Sequence, residues 1–308
     1  MAREGVLVVG SANMDMVVST ARFPRPGETV LGRSFAMFPG GKGANQAVAC
    51  AKLGGDVTFI GRMGNDVLRD RLFASMRKDG VKLKRVAIDP ALPTGIAVIT
   101  VDGSGQNQIV VASGSNMALL PADIDRHAAA FGEAGVLLVQ LETPLAAVQR
   151  SVALAKRKGL TVILNPAPAR RLPKALLNMV DFLTPNETEL SVLSGMPVGG
   201  VVSAERAARK LMARGVKCVI VTLGAKGCMT VTATGSRIFP SYRVRAVDTT
   251  AAGDAFNGAL AFGLAAGLSV EAAAPFANAV AALSVTRMGA QSSMPGMGEV
   301  RSFMRRAR

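Results

Sequence analysis

Val136-Leu137-Leu138-Val139-Gln140, a break at Leu141-Glu142-Thr143-Pro144, and then Thr161-Val162-Ile163-Leu164-Asn165 spell out a strand, a turn and a second strand. Both apolar runs are short and continuous, the pattern of strands covered on both faces. The residues between them predict a helix opening after Pro144. Downstream the same order repeats. A short helix follows Pro173, Val180 to Thr184 is a strand, helices start at Glu187 and Ala204, and Cys218 to Thr222 is a strand again. Alternation of this kind predicts an α/β fold, a doubly wound and mostly parallel sheet flanked by helices. Such sheets collect ligands outside the carboxyl ends of their strands. Gln140, Glu142, Asn165, Asn186 and Thr222 all fall at or just past those ends.

Upstream, Val6-Leu7-Val8-Val9-Gly10 reads as another buried parallel strand, and Val57 to Gly61 as one more. Between them Ala44, Ala47, Val48 and Ala51 have helical spacing, ended by Gly54-Gly55. Four segments do not alternate with helices: Met14 to Ser19, Val30 to Phe38, and a hairpin of Gly95 to Val101 with Gln108 to Ala112 around Asp102-Gly103-Ser104-Gly105. They predict a small separate sheet. No internal repeat or low-complexity linker divides the chain, so one domain over 1–308 is expected. Gly258 to Val285 is interrupted by Glu271, Pro275 and Asn278 and predicts two buried helices, not a membrane span.

Composition excludes several function classes. Lys plus Arg number 36 against 21 acidic residues, a net charge of +15 that attracts anions. Aromatics are only 4%, and the one tight basic cluster is Arg301 to Arg308, so specific nucleic-acid reading is not expected. Cys50, Cys218 and Cys228 lack metal-ligand spacing and predict buried free thiols in a reducing cytoplasm. Arg3-Glu4 before a short apolar run is a poor export signal. A Ser-His-Asp triad would have to use His127, the only histidine.

The chemistry concentrates at Asp248-Thr249-Thr250-Ala251-Ala252-Gly253-Asp254, where a polar turn opens a helix. Ala255, Ala259, Phe262 and Ala266 are spaced to share one face of it. The first amides of a helix have no internal partner, and small residues let an anion approach them. A carboxylate there is explained if it takes a proton from an attacking hydroxyl; an ordinary capped helix start is the alternative. Asn13 and Asp15, two apart in extended chain, suit a grip on vicinal hydroxyls, or form a polar turn. Gly40-Gly41-Lys42-Gly43-Ala44-Asn45 is a glycine turn opening a helix, without the spacing of a Walker loop. Glu142 either accepts from a hydroxyl or caps the helix at Pro144. Asn186 and Glu189 share a helix face, and Glu187 and Glu189 also suit a helix N-terminus on charge alone. Thr222-Leu223-Gly224-Ala225-Lys226-Gly227 is a glycine turn at a strand end.

Asp248-Thr249-Thr250-Ala251-Ala252-Gly253-Asp254-Ala255-Phe256 and Gly40-Gly41-Lys42-Gly43-Ala44-Asn45-Gln46 together resemble the two signatures of the ribokinase-like (PfkB) carbohydrate kinases. The resemblance runs from about Val6 to Pro295. It implies ATP-dependent phosphorylation of a sugar hydroxymethyl group, D-ribose to ribose 5-phosphate, with Asp254 as base and an anion hole at Ala252, Gly253 and Asp254. It also implies sugar contacts from Asn13, Asp15, Gly41, Lys42, Gly43, Asn45 and Glu142. ATP contacts are implied at Asn186, Thr222, Gly224, Lys226, Gly227, Gly253 and Asn278. Mg²⁺ would be held through water near Glu189. A monovalent cation, K⁺, would sit among oxygens of Asp248, Thr250, Ser284, Arg287, Gly289 and Ser293. The small sheet, from about 13–38 and 95–113, would be a lid that pairs to make a homodimer. Nucleoside, fructose or 2-keto-3-deoxygluconate kinases of the same family, and a catalytically silent sugar-binding protein, are the alternatives.

Overall fold

The computed structural model describes residues 4–306; Arg3, and Ala307-Arg308 of the basic tail, lie outside the described residues. The first strands are β1 (Gly5–Val9), β2 (Asn13–Ser19), β3 (Ser34–Gly40), β4 (Val57–Ile60), β5 (Arg62–Gly64), β6 (Ala87–Asp89), β7 (Gly95–Val101) and β8 (Asn107–Ala112). They are followed by β9 (Ala134–Val139), β10 (Thr161–Leu164), β11 (Phe182–Leu183), β12 (Cys218–Thr222), β13 (Cys228–Thr232) and β14 (Gly235–Phe239). An eight-stranded sheet has the order β14-β13-β12-β11-β10-β9-β1-β4. It is parallel from β12 to β4, while β12, β13 and β14 pair antiparallel. The doubly wound, mostly parallel sheet is therefore present.

Side-chain alternation explains the continuous apolar runs. Val6, Val8, Val136 and Leu138 enter one buried cluster, while Leu7, Val9, Leu137 and Val139 enter a second on the other face. On the first face lie α1 (Lys42–Lys52) and α2 (Val67–Lys78). The second face is covered by α3 (Pro121–Arg126), α4 (Ala130–Glu133), α5 (Leu145–Arg157), α6 (Lys174–Leu177), α7 (Glu187–Ser194) and α8 (Val201–Met212). The chain then returns to the first face with α9 (Ala252–Ala265), α10 (Val270–Ser284) and α11 (Met297–Arg306). The chain passes from β1 to β4 on one side and to β9 on the other, so a topological switch lies beside β1.

A separate four-stranded sheet has the order β3-β2-β7-β8, with β2 and β7 parallel and the other pairs antiparallel. The hairpin turn is held by Asp102, whose Oδ1 accepts from Ser104 and Gln106. The strand expected from Val30 begins instead at Ser34 and runs to Gly40. Leu31 is left exposed ahead of Gly32, and the later start pairs Gly40 with Asn13.

Gly258 to Val285 forms two helices, α9 and α10, with Pro275 inside the second. No helix among the described residues is long and apolar enough to cross a membrane. The apolar face expected for α9 packs into the core through Ala255, Ala259 and Phe262, but burial extends around the helix. Ala255 and Ala259 are buried, but so are Asn257, Leu260 and Ala261, while Ala266 is exposed past the helix end. The helix is wedged between α1 and α10 and has no solvent side for most of its length. The β13–β14 hairpin, the short β5–β6 pair and α2 went unanticipated. The start of α2 is nonetheless marked by Asp66, which accepts from the Arg69 amide at 2.9 Å.

Candidate active site

At the end of β1 the chain turns through Ser11 into β2, returns along β3, and enters α1 at Gly41. Two glycines there are required by space. Gly41 has φ +87, and a Cβ on it would lie 2.6 Å from the Asn13 nitrogen. A Cβ on Gly43 would lie 2.7 Å from the Ser11 nitrogen, against backbone that has no room to yield. This close approach brings α1 onto the end of the sheet. Glu142, just past β9, reaches across: its Oε2 accepts from Ser11 Oγ at 2.6 Å and from the Lys42 amide at 3.1 Å. Its Oε2 is thus engaged by the glycine turn while Oε1 stays open to accept a hydroxyl, and Pro144 caps α5 without a side-chain bond.

Asp254, in the first turn of α9, is only 6% exposed. Asn45 Nδ2 donates to its Oδ2 at 2.9 Å and Gln46 Nε2 to its Oδ1 at 2.9 Å. Burial pushes the Asp254 carboxyl above its ordinary range, and Lys42, Asn45 and Gln46 oppose that push. Lys42 is drawn down by burial but raised on balance by Asp254, Glu142, Glu189 and Asp15. Asp15 is pushed up to about 7, first by burial and then by the Glu142 and Asp254 charges. These mutual effects place Asp15, Lys42, Glu142 and Asp254 in one electrostatic neighbourhood. Asn13 is oriented by Asn116, which donates to its Oδ1 at 2.7 Å and leaves the Asn13 amino group as the free donor. Beside it Asp15, when ionised, can only accept.

The tip of α9 is unusual. Ala251 takes a left-handed conformation, φ 58 and ψ 15, which costs a non-glycine residue about 1–2 kcal/mol. The Ala252 amide makes a 3.3 Å bond to Thr249 O, so of the three expected donors it is partly engaged. The Gly253 and Asp254 amides have no hydrogen-bond partner among the described residues. They line a cavity of about 180 Å³ shared with Lys42, Asn165, Asn186, Glu189 and Asn257. Asn257 Nδ2 bonds the Gly253 carbonyl at 2.8 Å and its Oδ1 accepts from Thr184 Oγ1, tying this turn to β11.

A second cavity of about 600 Å³ adjoins the first and is more apolar. Asn186, Thr222, Gly224, Gly227, Gly253 and Asn278 line it. Lys226 is exposed and outside that lining. Asn278 spends its amino group on the carbonyls of Phe239 and Pro240. Sequence reasoning missed Tyr242, Arg243 and Val244 in this wall, because residues 240–250 carry no periodicity to place them, and it read Phe256, Ala281 and Val285, on or at the end of α9 and α10, only as parts of buried helices. It also assigned no role to Ser11, Asn116 or Asn257. His127 ends α3 and takes no part in these bonds.

Asn186 and Glu189 form a reciprocal capping box on α7: Asn186 Oδ1 accepts from the Glu189 amide, and Glu189 Oε2 from the Asn186 amide. Among the described residues no group of three or more acidic, histidine or cysteine side chains could hold a metal. One carboxylate with one oxygen already engaged fits a hydrated divalent ion held chiefly by phosphates. For the monovalent ion, Asp248 Oδ1 accepts from the Thr250 amide and Oδ2 from the Gly289 amide, both at 2.9 Å, joining the two loops. The carbonyl oxygens of Thr250, Arg287 and Gly289 accept no hydrogen bond among the described residues. A set of unpaired carbonyls beside a carboxylate fits a hard cation.

The sequence pattern described as "pfkB family carbohydrate kinase" matches residues 3–297. The chain is 41% identical to the ribokinase of Haemophilus influenzae, over 99% of this chain and 100% of that one. It is 38% identical to the deoxyribokinase of Salmonella typhi, over 97% and 98%. The solved structure of Arabidopsis thaliana ribokinase complexed with ribose and ATP superposes with a TM-score of 0.92 at 36% identity, covering 99% of each chain. A match in sequence and fold over nearly the whole chain has one reading: the chain belongs to the pfkB family of carbohydrate kinases.

Proposed function

We propose that the protein transfers the γ-phosphoryl group of ATP to the hydroxymethyl group of D-ribose, giving ribose 5-phosphate and ADP. The observation that carries this reading is the pairing, at one helix tip, of a buried carboxylate with two unpartnered amides inside a cleft of two adjoining chambers. The larger, more apolar chamber suits a nucleotide; the smaller one joins its phosphates to the sugar. Asn13 would donate to and Asp15 accept from ring hydroxyls, with Glu142 holding the turn that carries Lys42. Asp254 takes the proton of the attacking hydroxyl. The Gly253 and Asp254 amides receive the developing charge on the phosphoryl oxygens, with Ala252 contributing less. Phosphoryl transfer is loose and charge-spread, so positioning and electrostatics dominate it.

Glu189 would orient water on Mg²⁺, which when bound neutralises the polyphosphate. The loops joined by Asp248 would hold K⁺ through carbonyls, with Ser284 and Ser293 alongside, fixing the turn that Ala251 begins. The four-stranded sheet would act as a lid over the sugar that excludes water. Its exposed apolar residues Phe35, Val98, Ile109, Val110 and Val111 support pairing with a second copy. ATP use and three buried, unpaired thiols support a cytoplasmic location.

The deoxyribokinase relative supports deoxyribose as a second sugar. A coupled assay with ATP, Mg²⁺ and a panel of ribose, deoxyribose, fructose, adenosine and 2-keto-3-deoxygluconate decides between them. Ribose should give the highest kcat/KM. ATP consumption that ignores the sugar, or a preference for adenosine, would overturn the proposal.

A further inference from the structure

Behind Asp254 lies a chain of buried amides that phosphoryl transfer does not itself use. Gln46 Nε2 donates to Asp254 Oδ1 at 2.9 Å and to Asn165 Oδ1 at 3.0 Å. Gln46 Oε1 in turn accepts from Gln140 Nε2 at 2.6 Å. Neither glutamine has any exposed surface, so solvent does not compete for these bonds. Gln140 Oε1 has no hydrogen-bond partner among the described residues and lies against Gly10, where a Cβ would come within 2.1 Å of it.

We propose that Gln46 and Gln140 are positioning residues that keep Asp254 in its ionised, proton-accepting form, Gln140 by fixing which way the Gln46 amide points. The inference rests on Asp254 being the base. A primary amide has a donor end and an acceptor end, and only the donor end suits a carboxylate. With Gln140 donating, the Gln46 carbonyl is tied down and its N–H groups face Asp254 and Asn165. If the Gln140 amide turned over, Gln46 would have to follow. A carbonyl would then confront Asp254, an arrangement tolerable only if Asp254 carried a proton. The direction of the chain and the charge of Asp254 are therefore linked. Hydrogen bonds of this charge-assisted, buried kind are the strong ones. Asn45 supplies the other donor to the carboxylate. The charges facing Asp254 are Lys42 from α1, Glu142 after β9, Asp15 from β2 and Glu189 from α7. Substituting the glutamines leaves all four in place.

The test is the single-turnover rate at saturating ribose and Mg·ATP, measured across pH. In Gln46→Leu the acidic limb should move up by about 1 pH unit, the tenfold change in ionisation that loss of one bond to a charged group produces. Gln140→Leu should move it the same way by less. A purely packing role would lower the plateau and the Tm with the limb unmoved, and that result overturns the inference. Asp254→Asn separates the two readings. A near-normal rate in that variant means the base assignment has failed. A lost rate there, with an unmoved limb in both glutamine variants, means that only this inference has failed. Should the variants not fold, the unmodified protein labelled with ¹⁵N in its glutamine side chains gives the answer. The Gln46 Nε2 signal must titrate together with the rate, and a pH-independent signal refutes the proposal.

Discussion

Gly258→Ala tests how closely α1 and α9 must approach for the site to exist. Gly258 lies one turn beyond Asp254, where α9 crosses α1. A Cβ there would sit 2.5 Å from Gln46 O, 2.6 Å from Ala49 Cβ and 3.0 Å from Cys50 N. Two of the three obstacles are backbone and cannot swing aside. Bringing the closest contact from 2.5 Å to an ordinary 3.4 Å requires the helices to part by about 0.9 Å. Overpacking of that kind costs about 1–3 kcal/mol, or roughly 2–6 °C in Tm for a domain of this size. The same movement stretches the two 2.9 Å bonds from Asn45 and Gln46 to Asp254. At about 3.8 Å they would no longer be hydrogen bonds. A displacement near 1 Å at a reacting group can lower the rate about 100-fold. The assays are thermal melting and the steady-state rate with ribose. Gly132→Ala serves as control, since a Cβ there meets nothing within 4 Å. If Gly258→Ala melts and turns over like the unmodified protein, the helix crossing does not set the geometry of Asp254, and the reasoning is wrong.

Four further outcomes are expected. Asp254→Asn should lower kcat by about 10²–10⁴-fold while ATP affinity by calorimetry stays nearly unchanged; a comparable loss of affinity would place Asp254 in nucleotide binding instead. Asp15, protonated near pH 7 when folded and near its ordinary 3.8 when unfolded, makes folding take up a proton between those values. Stability therefore falls as pH rises through that window. Asp15→Asn should raise the Tm at pH 8 far more than at pH 4, and an equal shift at both would contradict the assignment. In the sugar-free protein, kcat/KM for ribose should also decline as pH drops through about 7, as Asp15 loses its accepting charge. Replacing K⁺ by tetramethylammonium at constant ionic strength should slow turnover severalfold, because the bulky ion cannot enter among carbonyls; unchanged turnover would remove the cation from the loop.

The parallel part of the sheet was legible because Val136 to Val139 and Thr161 to Leu164 are covered on both faces, and burial on both faces leaves an unbroken apolar run. The strand-end residues followed from topology. The hairpin of β13 and β14 was hidden, since the largely exposed Gly235-Ser236-Arg237 of its second strand carries no apolar run to mark it. Within the site, Asp254 and Glu142 were singled out by residue type and place, and Lys42 by the resemblance of its glycine turn. Their mutual arrangement was not, because it depends on contacts 100 or more residues apart, such as Lys42 with Glu142 and Gln46 with Asp254. The Ala252 amide shows the limit from the other side: a pattern can mark a helix tip but not the bond to Thr249 that partly fills it. Tyr242 and Val244 line a wall from a segment without regular structure, and only the fold brings them there.

The two chambers share Asn186, Thr222, Thr249, Ala252 and Gly253 as a common wall. Occupants of the two sides therefore lie close together, so that a single molecule with a short tether spans from one to the other. For such a compound the second half enters at an effective concentration fixed by the tether, in the millimolar range when it is short and fits the span. Bisubstrate ligands of this shape would gain avidity from the architecture alone.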